Sequence, residues 1–340
     1  MTSTEIKPGR TAADDYATIR STVGVYQIGR PLVRLTGDDR YEFIDRFASR
    51  SSEYVDPETV REFVALNDDG TPFAMLLHIE IDDVTWLLPR TEVTAEQLAG
   101  YLGQFDADDV TVEVAPEGFA ATAFEGPQAW QVAAKFIDFD VSGLVLHGVT
   151  EASVEDAGTA FIARVGTTGE YGYVLVSDAP GAAYDAALSA ASSVGGSAIG
   201  PDGLARVQAE AGQAVYQLDL STLSVNDADL AWMIDWNRVG EFHGSAQLEP
   251  PTVESARLVA LVAPAGTTVE PGDTLCAGGV EVGDVAKQTP SANPAEELVI
   301  ALVQNPFWVP GVPLTGPDGQ AFTSVTMPRV IAKSLHVKID

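Results

Sequence analysis

The stretch from Arg164 to Gly244 contains three short runs rich in glycine, aromatic and charged residues: Thr168-Gly169-Glu170-Tyr171-Gly172-Tyr173, Glu210-Ala211-Gly212 and Trp232 to Gly244. Glycine supplies turn conformations, and the polar side chains supply hydrogen-bonding groups. A core strand or helix would instead repeat apolar residues at a fixed period. The three runs therefore indicate a binding or catalytic site rather than a core.

The second run lies at the end of a predicted helix. Pro201 suits the first turn, where its missing N–H costs nothing, and apolar residues recur at helical spacing from Leu204 to Ala214. Glu210 lies at or beside this apolar stripe. It either faces water just off the stripe or is buried with a hydrogen-bonded or charged partner, because a buried ionised group alone is costly.

Length and charge limit the class of protein. At 340 residues and 46% apolar composition, the chain can bury large cores and is expected to hold two or more domains or subdomains. The formal net charge is −30. Such a surface repels the phosphates of nucleic acids and acidic lipid head groups, so neither is expected as a partner. The acidic excess fits plain solubility and also a high-salt cytoplasm.

Cysteine and histidine usage argues against a metal centre. Cys276 is the only cysteine, which excludes an internal disulfide and a cysteine-based zinc or iron–sulfur site. The four histidines are too scattered in sequence to predict a metal site. The polar start lacks a signal peptide's apolar segment, and no stretch approaches about 18 consecutive apolar residues. We expect a cytoplasmic protein without a bound metal.

The sequence divides near Glu249-Pro250-Pro251. Residues 1–249 mix short strands with amphipathic helices, and residues 63–88 form a predicted strand-turn-strand meander. From Glu254 onward, short β-branched runs are separated by proline and glycine, which is the pattern of a small β-barrel or a sandwich. The predicted class is α+β, with one region over residues 1–249 and a β domain over residues 250–340.

The order of the motifs resembles the aminomethyltransferase family, which includes the T-protein of the glycine cleavage system and folate-dependent demethylases. The resemblance rests on the three runs above together with Val23-Gly24-Val25-Tyr26, Thr36-Gly37-Asp38-Asp39, Leu66-Asn67-Asp68-Asp69-Gly70 and Gly126-Pro127-Gln128-Ala129. Near the end, Val282-Gly283-Asp284-Val285 and Ser291-Ala292-Asn293-Pro294 are similar to that family's terminal domain.

This resemblance implies a ring of α/β subdomains around a central tunnel, with two interleaved subdomains over residues 1–249 and a C-terminal β-barrel over residues 250–340. It also implies tetrahydrofolate as the cofactor. Glu210 would accept the amino and ring N–H edge of the pterin, since one carboxylate matches two parallel donors. Arg238 would hold the acidic tail of the folate. The further expected folate contacts are Tyr216, Tyr173, Trp232 and Glu170.

Several positions depart from the family pattern. Ala74 falls where the family has an aspartate near the reactive nitrogen of the folate, Gln208 replaces an arginine, and Gln217 replaces a glycine. Two histidines are candidates for acid–base catalysis in place of the aspartate. His78 is four residues after Ala74 on one predicted strand, so both side chains share a face. His243 is expected close to the tunnel.

The predicted function is a tetrahydrofolate-dependent transferase of a methyl or methylene group, acting on a small methylated metabolite and diverged from the glycine cleavage T-protein. Demethylation is preferred to aminomethyl transfer, because the family's carboxylate is absent. The expected partner is a small-molecule substrate; the sequence does not fix an oligomeric state. Two alternatives stay open: a folate-binding or small-molecule-binding protein without catalysis, and an enzyme that uses the tunnel without folate.

Overall fold

The computed structural model describes residues 10–52, 55–106, 108–252, 256–290 and 295–339. The motif Ser291-Ala292-Asn293-Pro294 lies outside these residues. Within the described part of the chain, no helix combines the length and the apolar character needed to cross a membrane.

Two sheets form the amino-terminal region. Their first strands and helices are α1 (Ala12–Ser21), β1 (Gly24–Ile28), β2 (Val33–Thr36), α2 (Arg40–Asp45), β3 (Thr59–Leu66), β4 (Pro72–Ile81), β5 (Val84–Pro89), α3 (Ala95–Leu102), β6 (Thr111–Val114) and β7 (Ala120–Glu125). The later ones are α4 (Ala129–Ala133), β8 (Val149–Glu151), β9 (Ala160–Ala163), β10 (Gly172–Ser177), α5 (Pro180–Ser193), β11 (Ser197–Ala198) and α6 (Pro201–Glu210).

The chain enters one sheet, builds the other, and then returns. The six-stranded sheet has the order β11-β1-β7-β10-β9-β8, and the five-stranded sheet has the order β3-β4-β5-β2-β6. All strands of the five-stranded sheet therefore lie in sequence between β1 and β7. Side chains of both sheets meet in one apolar cluster that includes Leu77, Ile79, Ala121 and Val174.

The C-terminal strands close into a barrel, which decides between the barrel and the sandwich that the sequence left open. The strands are β12 (Arg257–Pro264), β13 (Thr274–Ala277), β14 (Val280–Gln288), β15 (Glu296–Val303), β16 (Pro313–Thr315) and β17 (Ala321–Val325). They pair in the order β12-β15-β14-β13-β16-β17 around their own apolar core. The α+β class with a C-terminal barrel is confirmed, whereas the domain boundary after residue 249 stays a prediction.

Strand β4 is buried on both faces, and its alternation separates two environments. Ala74 and Leu76 pack against the cluster formed with α2 and α3. Met75 faces the opposite side and packs with Tyr216. A shift of one residue along this strand therefore moves a side chain from one environment to the other.

A buried charge network lies on the α2 side of β4. The Glu80 carboxylate accepts hydrogen bonds from Arg40 Nη2 at 2.8 Å and from Thr85 Oγ1 at 2.5 Å, and His78 Nε2 lies 3.4 Å away. Burial alone would raise the pKa of Glu80, but the hydrogen bonds from His78, Thr85 and Arg40 outweigh it and lower the pKa to about 2. Glu80 is therefore ionised and binds α2 through Arg40.

We expect Glu80→Gln to destabilise the protein by about 3 kcal/mol at neutral pH, because Arg40 keeps its buried charge and loses its partner. The pKa of Glu80 lies below its ordinary value of 4.5 when the protein is folded. The stabilisation of the fold by ionised Glu80 is therefore complete above pH 4.5 and is lost as the pH falls towards 2. Urea unfolding at about pH 7 and about pH 3 measures the free energy of unfolding of both proteins. The difference between wild type and variant should be smaller at the lower pH.

The matched control is Glu113→Gln, which removes a partly exposed partner of Arg34. It should change stability by less than about 1 kcal/mol. Equal effects of the two substitutions at neutral pH would contradict the anchoring role of Glu80.

Candidate functional site

A cavity of about 570 Å³ lies where β1, α6 and barrel strand β14 meet. This first cavity is lined by Tyr26 to Arg30, by Gln208, by Tyr216 and Gln217, and by Lys287. Its size is within the range of small-molecule sites, about 300–1,000 Å³. The barrel closes one side through Lys287, whose Nζ donates to the Gln217 carbonyl at 3.1 Å.

A saturated carboxylate lies behind the wall of the first cavity. Glu125 is 1% exposed and accepts from the backbone N–H and hydroxyl groups of Thr167 and Thr168 at 2.7–3.0 Å. The Tyr26 hydroxyl also donates to Glu125 at 2.7 Å. Burial first, and then Glu125, raises the pKa of Tyr26 well above its ordinary value, so the phenol stays protonated. The network fixes Tyr26 at the cavity wall.

Two glutamines continue this network into the cavity. Gln208 Nε2 donates to Thr167 Oγ1 at 2.9 Å, and Gln217 Nε2 donates to the Ala205 carbonyl at 2.7 Å. The amide nitrogen of Gln217 also lies 3.4 Å from Gln208 Oε1. Because both neighbours of that nitrogen are acceptors, the amide is oriented with its nitrogen towards them and Oε1 on the other side. Two of the three positions that depart from the family pattern, Gln208 and Gln217, are thus neighbours in one wall.

Two buried polar atoms of lining residues have no hydrogen-bond partner within the described chain: Gln217 Oε1 and the Tyr184 hydroxyl. Buried polar groups are normally paired, and leaving one unpaired costs about 1–3 kcal/mol. Both atoms are inaccessible to solvent, so a polar ligand in the first cavity would pair with them only after their side chains rotate towards it.

Tyr216 is held by a buried ion pair. Its hydroxyl donates to Glu62 Oε1 at 3.1 Å, Arg90 Nε lies 3.3 Å from the same oxygen, and the Arg90 guanidinium lies 5.3 Å from the ring centroid. Burial raises the pKa of Tyr216, so it also stays a neutral phenol. Of the predicted folate contacts, Tyr216 is the one whose side chain lines the first cavity.

Glu210 takes the buried alternative that the helical pattern left open, but it faces away from the first cavity. Its carboxylate accepts from the Tyr16 hydroxyl at 2.6 Å and from Arg206 Nε at 2.8 Å. Arg206 is fully buried, and its Nη2 lies 3.8 Å from Glu296 in the barrel. Glu210 thus links α6 to α1 and, through Arg206, to the barrel, and the structure does not place it to meet a pterin in the first cavity.

Glu170 is occupied by the segment that follows the barrel. Its carboxylate accepts from the backbone N–H groups of Lys333 and Ser334 and from the Ser334 hydroxyl at 2.7–3.2 Å. Arg20 Nη1 also donates to it at 3.2 Å. The motif that contains Glu170 therefore docks the C-terminal segment, and Glu170 has a bracing role where a folate contact was expected.

Arg238 lies on the outer side of the amino-terminal region. Its guanidinium donates to the carbonyls of Ala48 at 3.2 Å and Asp45 at 2.8 Å. The adjoining cleft is lined mainly by charged residues, four of them acidic: Glu42, Asp45, Arg46, Ser51, Asp235, Arg238 and Glu241. Those carboxylates would repel the acidic tail of a folate, so the geometry does not favour the predicted role of Arg238.

The two remaining aromatic candidates lie elsewhere. Tyr173 is fully buried in a core cluster and stacks on Phe124 at 5.6 Å between ring centroids. Trp232 is 63% exposed and lines a second cavity of about 200 Å³, which lies between the end of α6 and the barrel. Met75 lines this second cavity, whereas Ala74 points into the apolar core beside α2 and α3. A carboxylate at position 74 would therefore be buried without a partner.

Neither histidine reaches the first cavity. His78 shares the face of β4 with Ala74, as predicted, but that face belongs to the α2 side and His78 contacts Glu80. His243 lies in a separate surface cleft, where its Nε2 is 3.2 Å from the exposed Asp68. Each histidine is thus paired with a nearby carboxylate, and neither contacts the tyrosines that line the first cavity.

Several residues that line the first cavity or support its wall were missed by sequence reasoning. Tyr26 belongs to a motif that was recognised, but no role was assigned to it. Glu125 ends an apolar strand directly before Gly126, and a carboxylate in that position could have signalled a buried acceptor. Arg90, Tyr184 and Lys287 carry no local signal, because their partners are distant in sequence.

Comparisons with known proteins agree on one family. The model of the GCVT N-terminal domain matches residues 8–238. An aminomethyltransferase from Streptomyces coelicolor is 26% identical over 320 residues, covering 90% of this chain and 84% of that protein. An aminomethyltransferase from Herpetosiphon aurantiacus is 29% identical over 224 residues, covering 64% of this chain and 61% of that protein.

The fold is also similar to a solved structure. The glycine cleavage system aminomethyltransferase T from Bartonella henselae superimposes with a TM-score of 0.77 at 18% identity. The match covers 94% of this chain and 90% of that chain. The arrangement of the two sheets and the barrel therefore follows that protein along nearly the whole chain.

We expect Glu210→Gln to lower the free energy of unfolding by about 3 kcal/mol, because the fully buried Arg206 loses its closest counter-charge. Urea unfolding measures the change. The control is the double variant Arg206→Met with Glu210→Leu, which replaces the pair by apolar groups and should recover most of the loss. Wild-type stability of Glu210→Gln alone would contradict the structural role of Glu210.

Proposed function

The chain belongs to the family of the GCVT N-terminal domain, and from this premise we propose that it is a tetrahydrofolate-dependent one-carbon transferase whose folate site is the first cavity. The chain is an aminomethyltransferase-like enzyme. The observation that supports the folate site is the position of Tyr216, the one predicted folate contact that lines this cavity of about 570 Å³.

The residues of the first cavity fit the functional groups of a folate. Gln217 lines the cavity, and rotation of its side chain would present Oε1 as an acceptor to the N–H edge of a pterin, which is the role expected of Glu210. Tyr26, Tyr184 and Tyr216 offer aromatic surface to a flat ring. We therefore move the proposed pterin contact from Glu210 to Gln217, with Gln208 as its neighbour.

The charged residues at the first cavity are two cations, which suit an acidic tail, and the carboxylates of Glu92 and Asp202. Lys287 and Arg30 both line the first cavity, and Arg30 pairs with Glu92 at 3.1 Å, so its charge is partly compensated. Lys287 donates one hydrogen bond to a carbonyl and keeps its positive charge for a carboxylate. In this proposal Lys287 takes the role that the sequence suggested for Arg238.

The chain contributes positioning to the reaction rather than a nucleophile. A bound folate supplies the nitrogen that accepts or donates the one-carbon unit. Tyr26 and Tyr216 stay neutral and are fixed by Glu125 and Glu62, so they shape the wall and exclude water without exchanging protons near neutral pH. Orientation in a dry cavity can supply a large part of the rate for such a transfer.

We favour a small methylated metabolite as the second substrate, with demethylation as the reaction. The support is that β4 brings no carboxylate to the first cavity: Ala74 lies in the apolar core, and Met75, beside Tyr216, lines the second cavity. A substrate amine that is charged would find no carboxylate from β4 at that point. The same observation favours one alternative, a folate-binding protein that has kept the scaffold and lost catalysis.

We expect tetrahydrofolate to bind the wild type with one-to-one stoichiometry in a calorimetric titration, at low salt and in molar potassium chloride. Gln217→Ala should weaken binding at least tenfold, or about 1.4 kcal/mol, because an acceptor in a dry wall is lost. Gln213→Ala is the matched control, because Gln213 lines the second cavity and follows the same helix. Its affinity should equal that of the wild type.

No binding to the wild type in either salt would contradict the folate proposal as a whole. If Gln217→Ala and Gln213→Ala reduced the affinity for tetrahydrofolate equally, only the assignment of the site would be contradicted. Methyl transfer from candidate methylated amines, ethers and thioethers, followed as methylated folate, then separates an enzyme from a folate-binding protein.

A further inference from the structure

The side chains that line the second cavity are mostly apolar. It holds about 200 Å³ between the end of α6, the turn at residues 228–232 and barrel strands β12 and β15. Apart from the Trp232 indole, only Gln213 and Asp229 among its lining residues carry polar or charged side chains. The rest of the wall is aliphatic, thioether or glycine, and its larger members are Met75, Val215, Leu230, Leu258, Ile300 and Met327.

Trp232 stands at the edge of this cavity with most of its indole uncovered. It is 63% exposed, although large apolar side chains of this chain are mostly buried. Arg50 holds it in place, since the guanidinium lies 5.1 Å from the ring and Nη2 donates to the Trp232 carbonyl at 3.3 Å. A fixed, exposed aromatic ring beside an apolar cavity is typical of a ligand-binding edge.

One segment forms the wall between the two cavities. Ala205, Gln208, Tyr216 and Gln217 line the first cavity, whereas Ala209 and residues 212–215 line the second. The backbone from α6 to the end of the turn Ala214–Gln217 is therefore shared. Whatever fixes one face of this segment also fixes the side chains on the other face.

We propose that the second cavity binds a small, uncharged apolar molecule, of the class of a single aromatic ring or a methyl thioether, and that its occupancy changes the affinity of the first cavity. Apolar cavities of about 150 Å³ are known to take up benzene. The one charged residue in the lining, Asp229, is exposed to solvent, so a charged ligand would lose its hydration in the apolar part of the wall without a buried counter-charge. The coupling rests on the proposed folate site, whereas binding in the second cavity does not.

The coupling follows from linkage. A ligand that orders the shared segment in the second cavity alters the free energy of placing Gln208, Tyr216 and Gln217 around a ligand in the first. Each ligand must then change the affinity of the other by the same factor. A threefold or larger change is expected in both directions.

The probe is thioanisole, an uncharged aromatic methyl thioether, titrated calorimetrically into the full-length protein. Ala214→Phe fills the second cavity and should weaken the binding of thioanisole at least tenfold. Tetrahydrofolate should still bind to this variant. Ala205→Phe is the matched control, because it makes the same change in the wall of the first cavity. It should abolish tetrahydrofolate binding and spare thioanisole.

Trp232→Ala is a second test, because removal of an exposed side chain leaves the core intact. This variant should bind thioanisole at least threefold more weakly than the wild type. N-methylbenzylamine, which is protonated at neutral pH, is the charged comparison and should bind at least tenfold more weakly. Equal thioanisole affinity in wild type, Ala214→Phe and Trp232→Ala would overturn the site. Equal binding of the charged amine would overturn the stated ligand class.

Tetrahydrofolate affinity measured with saturating thioanisole tests the coupling. An unchanged affinity would overturn the coupling while leaving the site in place. If tetrahydrofolate does not bind the wild type at all, the proposed function is wrong. The thioanisole titrations then still show whether the second cavity binds an uncharged apolar molecule.

Discussion

The buried pair between Arg206 and Glu210 is the contact on which the geometry of the site depends. A fully buried guanidinium has to keep its counter-charge, so α6 cannot rotate or slide without a large cost. Tyr16 extends the pair to α1, and Glu296 extends it to the barrel, where Arg329 also pairs with Glu296. Gln208, on the same helix, is therefore held at a fixed place in the first cavity.

The motif residues mostly build the frame, and less conspicuous residues face the ligand. Glu170 docks the C-terminal segment, and Glu210 locks α6, so both acidic motif residues stabilise the arrangement of the parts. The cavity wall instead presents neutral hydrogen-bonding groups, chiefly Gln208, Gln217 and protonated tyrosines. The family frame is kept, while the first cavity offers neutral hydrogen-bonding groups together with two cations, Arg30 and Lys287, and two carboxylates, Glu92 and Asp202.

The sequence predicted the fold well and the site only partly. Helical spacing with Pro201 located α6, and turn residues located the meander that became β3, β4 and β5. The even spacing of Ala74 and His78 correctly placed them on one face of β4, but both faces of that strand are buried, so periodicity could not say which face meets the cavity. Arg206, four residues before Glu210 on the predicted helix, could have been recognised as its partner, whereas Tyr16 was out of reach because it lies 194 residues away.

A crystal structure of the chain grown with tetrahydrofolate tests the central claim most directly. The account predicts density for the pterin in the first cavity, with its N–H edge against Gln217 Oε1 and the Arg206–Glu210 pair unchanged. Pterin density against the Glu210 carboxylate, with Tyr16 displaced, would contradict it.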